Sequence, residues 1–312
     1  MVKMSSDYVI ETKQITKCFK SMFKKSYAVN KIDMHVKKGS IYGLIGKNGA
    51  GKTTLMKMIC GLSNPTEGEI YLFGNDNIGS EMRFNRLGIL IENPGLFMGM
   101  SAYENMKCKA ICMGMNNYKE KIEEILELVG LSDVGKKHAG KFSLGMKQRL
   151  AIGIALLGEP DILILDEPIN GLDPQGIVEV REMLLKLNKE KNMTILISSH
   201  ILEELTKLVT DFGIIRDGEL VEEISRDELA EKCLERIEVK TDNPDKATTV
   251  IEKIGINNYK VINSDTIYIY EKLDEIGKIN KELIKNDIDV NAIQLNNESI
   301  EDYFLNITGG AI

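Results

Sequence analysis

Short apolar runs separated by longer stretches of helical period organise the first two thirds of the chain. Ile41–Ile45 forms one such run, followed by a glycine-rich turn and then a helix-patterned stretch over 52–60. Residues 162–165 read Ile-Leu-Ile-Leu, bounded by Glu159-Pro160 before and Asp166-Glu167-Pro168 after. A third run, 193–198, precedes a helical pattern over 201–210. Strands this short and this uniformly apolar are those of a parallel sheet covered on both faces, so the region from Tyr8 to Leu220 predicts an α/β domain. Between about 93 and 155 the strand signal vanishes. Ile122, Ile125, Leu126 and Val129 keep a period near 3.6, which predicts a helical insertion.

After Asp217-Gly218 the pattern changes. Residues 236–239 read as a strand, 246–254 as a helix, and 259–262 with 266–270 as a hairpin around Asn263-Ser264-Asp265. A helix over 273–285, a strand over 290–295 and a last helix over 300–306 follow. The order βαββαβ is that of a small ferredoxin-like α+β unit. The expected organisation is therefore one α/β domain over 1–220, with a helical subdomain at about 93–155, and an accessory domain over 221–312. No long internal repeat is present.

Charge sharpens this division. Residues 221–312 hold 11 Lys and Arg against 20 Asp and Glu, a net −9, whereas 1–220 hold 29 against 27, a net +2. An acidic tail on a chain of net charge −7 argues against binding nucleic acid or anionic lipid. The most apolar run, 150–158, is far short of the ~18 residues that a spanning helix needs, so direct membrane insertion is not expected. Residues 1–14 lack the apolar core of a signal peptide. Five scattered cysteines, Cys18, Cys60, Cys108, Cys112 and Cys233, read as reduced thiols; Cys108 and Cys112 lack the second pair a metal site would need.

The chemistry lies at the strand ends. Gly46, Lys47, Asn48, Gly49, Ala50, Gly51, Lys52 and Thr53, continued by Thr54, match G-x-x-x-x-G-K-[ST] in full. Glycines there let consecutive backbone N–H groups converge on phosphate oxygens, and the helix that follows adds its positive end. Lys52 is placed to reach the β- and γ-phosphates, and the Thr53 hydroxyl to ligate Mg²⁺. The 162–165 strand delivers Asp166 beside that loop as a second Mg²⁺ residue, and Glu167, one position on, to polarise an attacking water. His200 follows the 193–198 strand, where an open α/β sheet forms its ligand crevice, and is positioned to orient the γ-phosphate and the water. His35 and His138 have no such setting and read as surface or packing residues.

With these motifs in order, the chain resembles an ATP-binding subunit of an ABC transporter over roughly 8–220. Gly46 to Thr54 correspond to its Walker A loop. Phe142-Ser143-Leu144-Gly145-Met146-Lys147-Gln148-Arg149 is similar to the start of the family's signature helix, 168–174 to its D-loop with Asp173 in the aspartate position, and Ser198-Ser199-His200 to its switch histidine. The resemblance implies that Ser143, Leu144, Gly145 and Met146 close on ATP held by a second ATPase subunit, so that a dimer, expected to be a homodimer, sandwiches two ATP molecules. It also implies that Phe19 stacks on adenine. Two positions depart from the family. Met146 replaces a glutamine of the signature, and Glu92 replaces the Q-loop glutamine; a carboxylate there is still a good Mg²⁺ ligand.

Glu92, the stretch Ser299-Ile300-Glu301-Asp302-Tyr303-Phe304 and the accessory domain before it look similar to the ATPases of lantibiotic self-protection and bacitracin-type export. The expected function is thus ATP hydrolysis energising a separate polytopic membrane permease, for efflux of a peptide antibiotic. The chain would be cytoplasmic and peripheral, held at the inner face of the membrane by the permease. Residues 93–107 would transmit the stroke to it. The alternatives are an exporter ATPase with unrelated cargo, or a soluble ABC ATPase with a regulatory role and no transport partner.

Overall fold

The computed structural model describes residues 7–20, 25–75, 85–92, 94–296 and 299–309. They divide into two compact units, one running to Arg226 and resuming at Ile307, the other spanning Asp227–Asn306.

The first unit holds two sheets. Strands β3 (Ile41–Ile45), β5 (Leu87–Leu90), β6 (Ile162–Asp166), β7 (Thr194–Ser199), β8 (Asp211–Arg216) and β9 (Glu219–Ser225) build a six-stranded sheet in the order β5-β6-β7-β3-β8-β9. All neighbours are parallel except the antiparallel β8–β9 pair at one edge. Every residue of β3, β6 and β7 is buried, which is why these strands are continuously apolar rather than alternating. A second, antiparallel sheet, β2-β1-β4, comprises β1 (Tyr8–Lys20), β2 (Lys25–Lys37) and β4 (Glu67–Leu72). The strand-helix alternation of the sequence did not separate this sheet from the parallel one. Its strands alternate faces: Ile32, Met34 and Val36 of β2 are buried in a core shared with Leu44, Met56 and Ile164.

Helix α1 (Lys52–Ile59) follows β3 after the 46–51 loop and buries Leu55, Met56, Met58 and Ile59. The helical insertion contains α2 (Ala102–Cys112), α3 (Tyr118–Leu128) and α4 (Leu144–Leu156). Ser101 caps α2 in a reciprocal box with Glu104, accepting the Glu104 N–H while the Glu104 carboxylate accepts from the Ser101 N–H. Helices α3 and α4 meet closely at Gly153, where an added Cβ would stand 3.3 Å from Ile125 Cγ2 and 3.4 Å from Val129 Cγ1. Helix α5 (Pro174–Lys191) starts on an Asp173 cap with Pro174 in its first turn. The stretch expected to be helical over 201–210 is shorter, α6 (Leu202–Thr206), because Thr210 already bonds β3: the Thr210 N–H donates to the Ile41 carbonyl at 2.8 Å.

Two boundaries differ from expectation. The first unit continues past 220, since β9 pairs residue by residue with β8 from Arg216↔Glu219 to Asp211↔Ser225. The chain also returns to it at Ile307, whose carbonyl accepts from Arg216 Nη1 at 2.6 Å.

The second unit has α7 (Arg226–Lys232) at its entry, then β10 (Arg236–Thr241), α8 (Pro244–Lys253), β11 (Tyr259–Val261), β12 (Thr266–Ile269), α9 (Ile276–Lys285), β13 (Val290–Asn296) and α10 (Ile300–Thr308), whose last turn belongs to the first unit. The sheet order is β11-β12-β10-β13, antiparallel throughout. Ile237, Val239, Ile267 and Ile269 face α8 and α9 through Val250, Ile251, Ile279 and Leu283.

Candidate functional site

Three parallel strands end side by side, in the order β6-β7-β3, and the residues that leave them form one polar cluster. The loop after β3 keeps its shape because two of its glycines admit nothing larger. An added Cβ on Gly46 would sit 2.4 Å from the Ile215 carbonyl oxygen. On Gly51 (φ 111°) it would sit 2.3 Å from the Ala28 oxygen, in a backbone region that side chains rarely enter. The Ala50 carbonyl, held by the Gly218 N–H at 3.0 Å, ties the same loop to the β8–β9 turn. Asn48 and Gly49 lie exposed at the rim, and Thr54 is half-buried on α1.

Lys52 is buried, and its ammonium donates to the carbonyls of Gly46 at 2.6 Å and Lys47 at 3.3 Å. The same Nζ lies 3.5 Å from Glu167 Oε1. The Thr53 hydroxyl donates to Asp166 Oδ2 at 2.8 Å, bringing together two hard oxygen donors from β6 and α1. Glu167 leaves β6 in the left-handed region (φ 50°), and its Oε2 is 2.7 Å from Nδ1 of His200. Lys52, Thr53, Asp166, Glu167 and His200 are therefore contiguous. Lys47 points elsewhere: its ammonium donates to the Gly309 carbonyl at 3.3 Å, near the end of α10.

The remaining candidates stand apart. Ser143 caps α4, accepting the Met146 N–H at 3.2 Å. Leu144 is half exposed, and an added Cβ on Gly145 would stand 4.0 Å from Leu172 Cδ2 of the 168–174 loop and 3.6 Å from Gly176 Cα in the first turn of α5. Asp173 accepts the Gly176 N–H at 3.1 Å as the α5 cap. The signature start and the D-loop thus touch each other. Phe19 is exposed on β1, with the Lys17 ammonium 5.5 Å from its ring centre.

Glu92, expected to join Thr53 and Asp166 as a Mg²⁺ ligand, lies in the loop after β5. Its backbone is left-handed (φ 64°) and its carboxylate forms an ion pair with Lys57 on α1, whereas Thr53 and Asp166 bond to one another. The opposite charge on α1, one turn beyond Thr53, captures it. Asn93, the first residue expected to transmit the stroke, lies outside the described residues. Beyond it Phe97, Met98 and Met100 are large apolar side chains open to solvent. Asn105 holds this loop, donating to the carbonyls of Phe97 at 3.1 Å and Ser101 at 2.9 Å.

Sequence reasoning gave no role of its own to Ser198, which is fully buried and bonds both Asp166 and Glu167. The signal was its place in the Ser198-Ser199-His200 stretch, at the polar end of a strand that also holds Thr194 and Ser199. A separate cavity of about 680 Å³, lined by Tyr8, Phe73, Arg86, Lys121 and Asp161 among others, includes none of the strand-end cluster.

Among known proteins, the ABC transporter family profile matches residues 29–170. The bacitracin transport ATP-binding protein BcrA of Bacillus licheniformis is 43% identical over 304 residues, 97% of this chain and 98% of its own length. The lantibiotic transport ATP-binding protein SrtF of Streptococcus pyogenes is 44% identical over 202 residues, 64% of this chain and 86% of its own. Among solved structures, a dimeric ATP-binding cassette bound to ADP and Pi in a post-hydrolysis state superposes with a TM-score of 0.63 at 26% identity, covering 70% of this chain and 98% of that one.

Proposed function

The chain is an ATP-binding subunit of the ABC transporter family and hydrolyses ATP, and on that premise we propose that it drives export of a peptide antibiotic of the bacitracin or lantibiotic kind through a separate membrane permease. One observation carries the cargo reading: similarity to the bacitracin transport subunit extends over 97% of the chain, accessory region included, instead of stopping at the ATPase core. The βαββαβ order and the β11-β12-β10-β13 arrangement support a ferredoxin-like accessory domain.

The site divides the work as follows. Backbone N–H groups of the 46–54 loop and the start of α1 bind the phosphates, and the Lys52 ammonium exchanges its carbonyl partners for phosphate oxygens. The Thr53 hydroxyl and the Asp166 carboxylate suit Mg²⁺, which prefers hard oxygen ligands and would neutralise phosphate charge. Glu167 accepts the proton of the attacking water; His200 fixes its Oε2 side and leaves Oε1 beside Lys52. Ser143, Leu144, Gly145 and Met146 offer a capped helix start to ATP on a second copy, and Phe19 offers an open ring for adenine. Phe97, Met98 and Met100 are the surface for the permease. With no described helix long and apolar enough to cross a membrane, the subunit would sit on the cytoplasmic face through that contact.

The test is to co-express the chain with its permease in a susceptible strain and measure the minimum inhibitory concentrations of bacitracin and of a lantibiotic. One of them should rise, and Glu167→Gln should cancel the rise. An unchanged susceptibility to both, with an active purified ATPase, rejects the cargo.

A further inference from the structure

Ser198 lies in β7 in register with Asp166 of β6 on one side and Leu44 of β3 on the other, and none of its surface reaches solvent. Its hydroxyl donates to Asp166 Oδ1 at 2.6 Å and accepts the Glu167 N–H at 2.9 Å. Both partners are unusual. Asp166 is a buried carboxylate whose other oxygen is engaged by Thr53. Glu167 is a non-glycine residue held at φ 50°, a conformation an L-residue keeps only where its surroundings enforce it.

A hydroxyl is the smallest side chain that donates and accepts at once, and bridging a carboxylate to an N–H needs both. An apolar residue would fill the volume and leave two buried polar groups unpaired, the costly case.

We propose that Ser198 is a positioning residue for ATP hydrolysis. One hydroxyl fixes the carboxylate that faces Thr53 and pins the backbone turn that sends the Glu167 side chain to His200. Metal ligand and base are thereby set by the same bond pair, and loss of the hydroxyl loosens them together. This inference rests on the reading of Asp166 and Glu167 given above.

The experiment compares Ser198→Ala and the nearly isosteric Ser198→Cys, whose thiol is a weak donor and acceptor, with Glu167→Gln as reference, all in the full chain. Three quantities are read: kcat and KM for ATP, the affinity for Mn²⁺ with a non-hydrolysable ATP analogue by electron paramagnetic resonance, and the thermal midpoint. Both serine variants should lose about tenfold to hundredfold in kcat, a range that leaving buried polar groups unpaired supports, with KM nearly unchanged. Mn²⁺ affinity should fall several-fold while folding stays cooperative. Wild-type kcat and Mn²⁺ affinity in the folded cysteine variant, beside an inactive Glu167→Gln, overturn the proposal; so does a loss of activity that merely follows the folded fraction. A Glu167→Gln chain turning over at the wild-type rate overturns the assignment of the base instead.

Discussion

Glu167 and His200 directly follow different strands, β6 and β7, and stand 33 residues apart, yet Oε2 of one lies 2.7 Å from Nδ1 of the other. The pair is partly buried, and the opposite carboxylate oxygen faces Lys52. A carboxylate held between an imidazole and an ammonium has its direction fixed before any water arrives. His200→Ala should therefore reduce kcat by about 10² or more while nucleotide affinity changes little. Steady-state kinetics with a parallel fluorescent-nucleotide titration separates the two; equal losses in both would mean that His200 serves binding.

Two serines cap helices with the same geometry and should behave differently. Ser101 and Ser143 each accept an N–H from the third helical residue. Replacing either by Ala should cost about 1 kcal/mol of stability in denaturant unfolding. Only Ser143→Ala should also abolish the ATP-dependent dimer that Glu167→Gln is expected to trap, because the proposed function offers its helix start to a second copy. Size-exclusion chromatography of both variants in the Glu167→Gln background decides this.

Lys57 and Glu92 form an ion pair with side chains 34% and 64% exposed, so it contributes at most about 1 kcal/mol to stability. Its effect should fall on nucleotide binding. Lys57→Met leaves a carboxylate without its partner near the phosphate loop and should weaken ATP binding several-fold. Adding Glu92→Gln should restore it. If the two changes simply add in calorimetric titrations, the pair has no such role.

Gly213 has no room for a methyl group. A Cβ there would stand 2.2 Å from Tyr42 Oη and 2.8 Å from Tyr42 Cζ, on the neighbouring strand of the same sheet. Gly213→Ala should destabilise the chain by about 1–3 kcal/mol, and Tyr42→Phe should relieve only part of that, since the ring still collides. Additive destabilisation would show that the backbone shifts instead.

Tyr42 is also buried, and its hydroxyl donates to Glu223 Oε1 at 2.7 Å. Burial first, then the negative Glu223, pushes its pKa well above the ordinary phenol value. The folded value exceeds the unfolded one, so this contribution to stability is complete below about pH 10 and is lost as pH rises toward the folded pKa. Wild-type stability should thus decline relative to Tyr42→Phe between about pH 9 and pH 11. Urea unfolding at several pH values measures the difference, and a constant gap contradicts the assignment.

The phosphate loop, the Asp166-Glu167 strand end and the βαββαβ order were all legible from residues within a few positions of one another. A glycine pattern, an apolar run of four or five and a capping serine each act locally, through backbone sterics and hydrogen bonds to near neighbours. Partners drawn from afar were not legible. Nothing in the local pattern of β1, β2 and β4 said that they would leave the parallel sheet for one of their own. Glu92 has the chemistry of a metal ligand, and its ion pair with Lys57, 35 residues back, was not legible. Ser198 reads only as a neighbour of His200 until β6 and β7 are laid in register.

Sequence alone marked the residues whose chemistry suits cradling phosphate, holding a metal ion and accepting a proton, because those abilities belong to side-chain chemistry and to turns of a few residues. Tertiary structure decided which of them face one another: Lys52 with Glu167, Thr53 with Asp166, Ser198 with both ends of the 166–167 peptide, and Lys47 with the returning Gly309. These pairings span from 31 to 262 residues. Strand order and the burial of one shared core set them, and neither is written in the neighbourhood of any single residue.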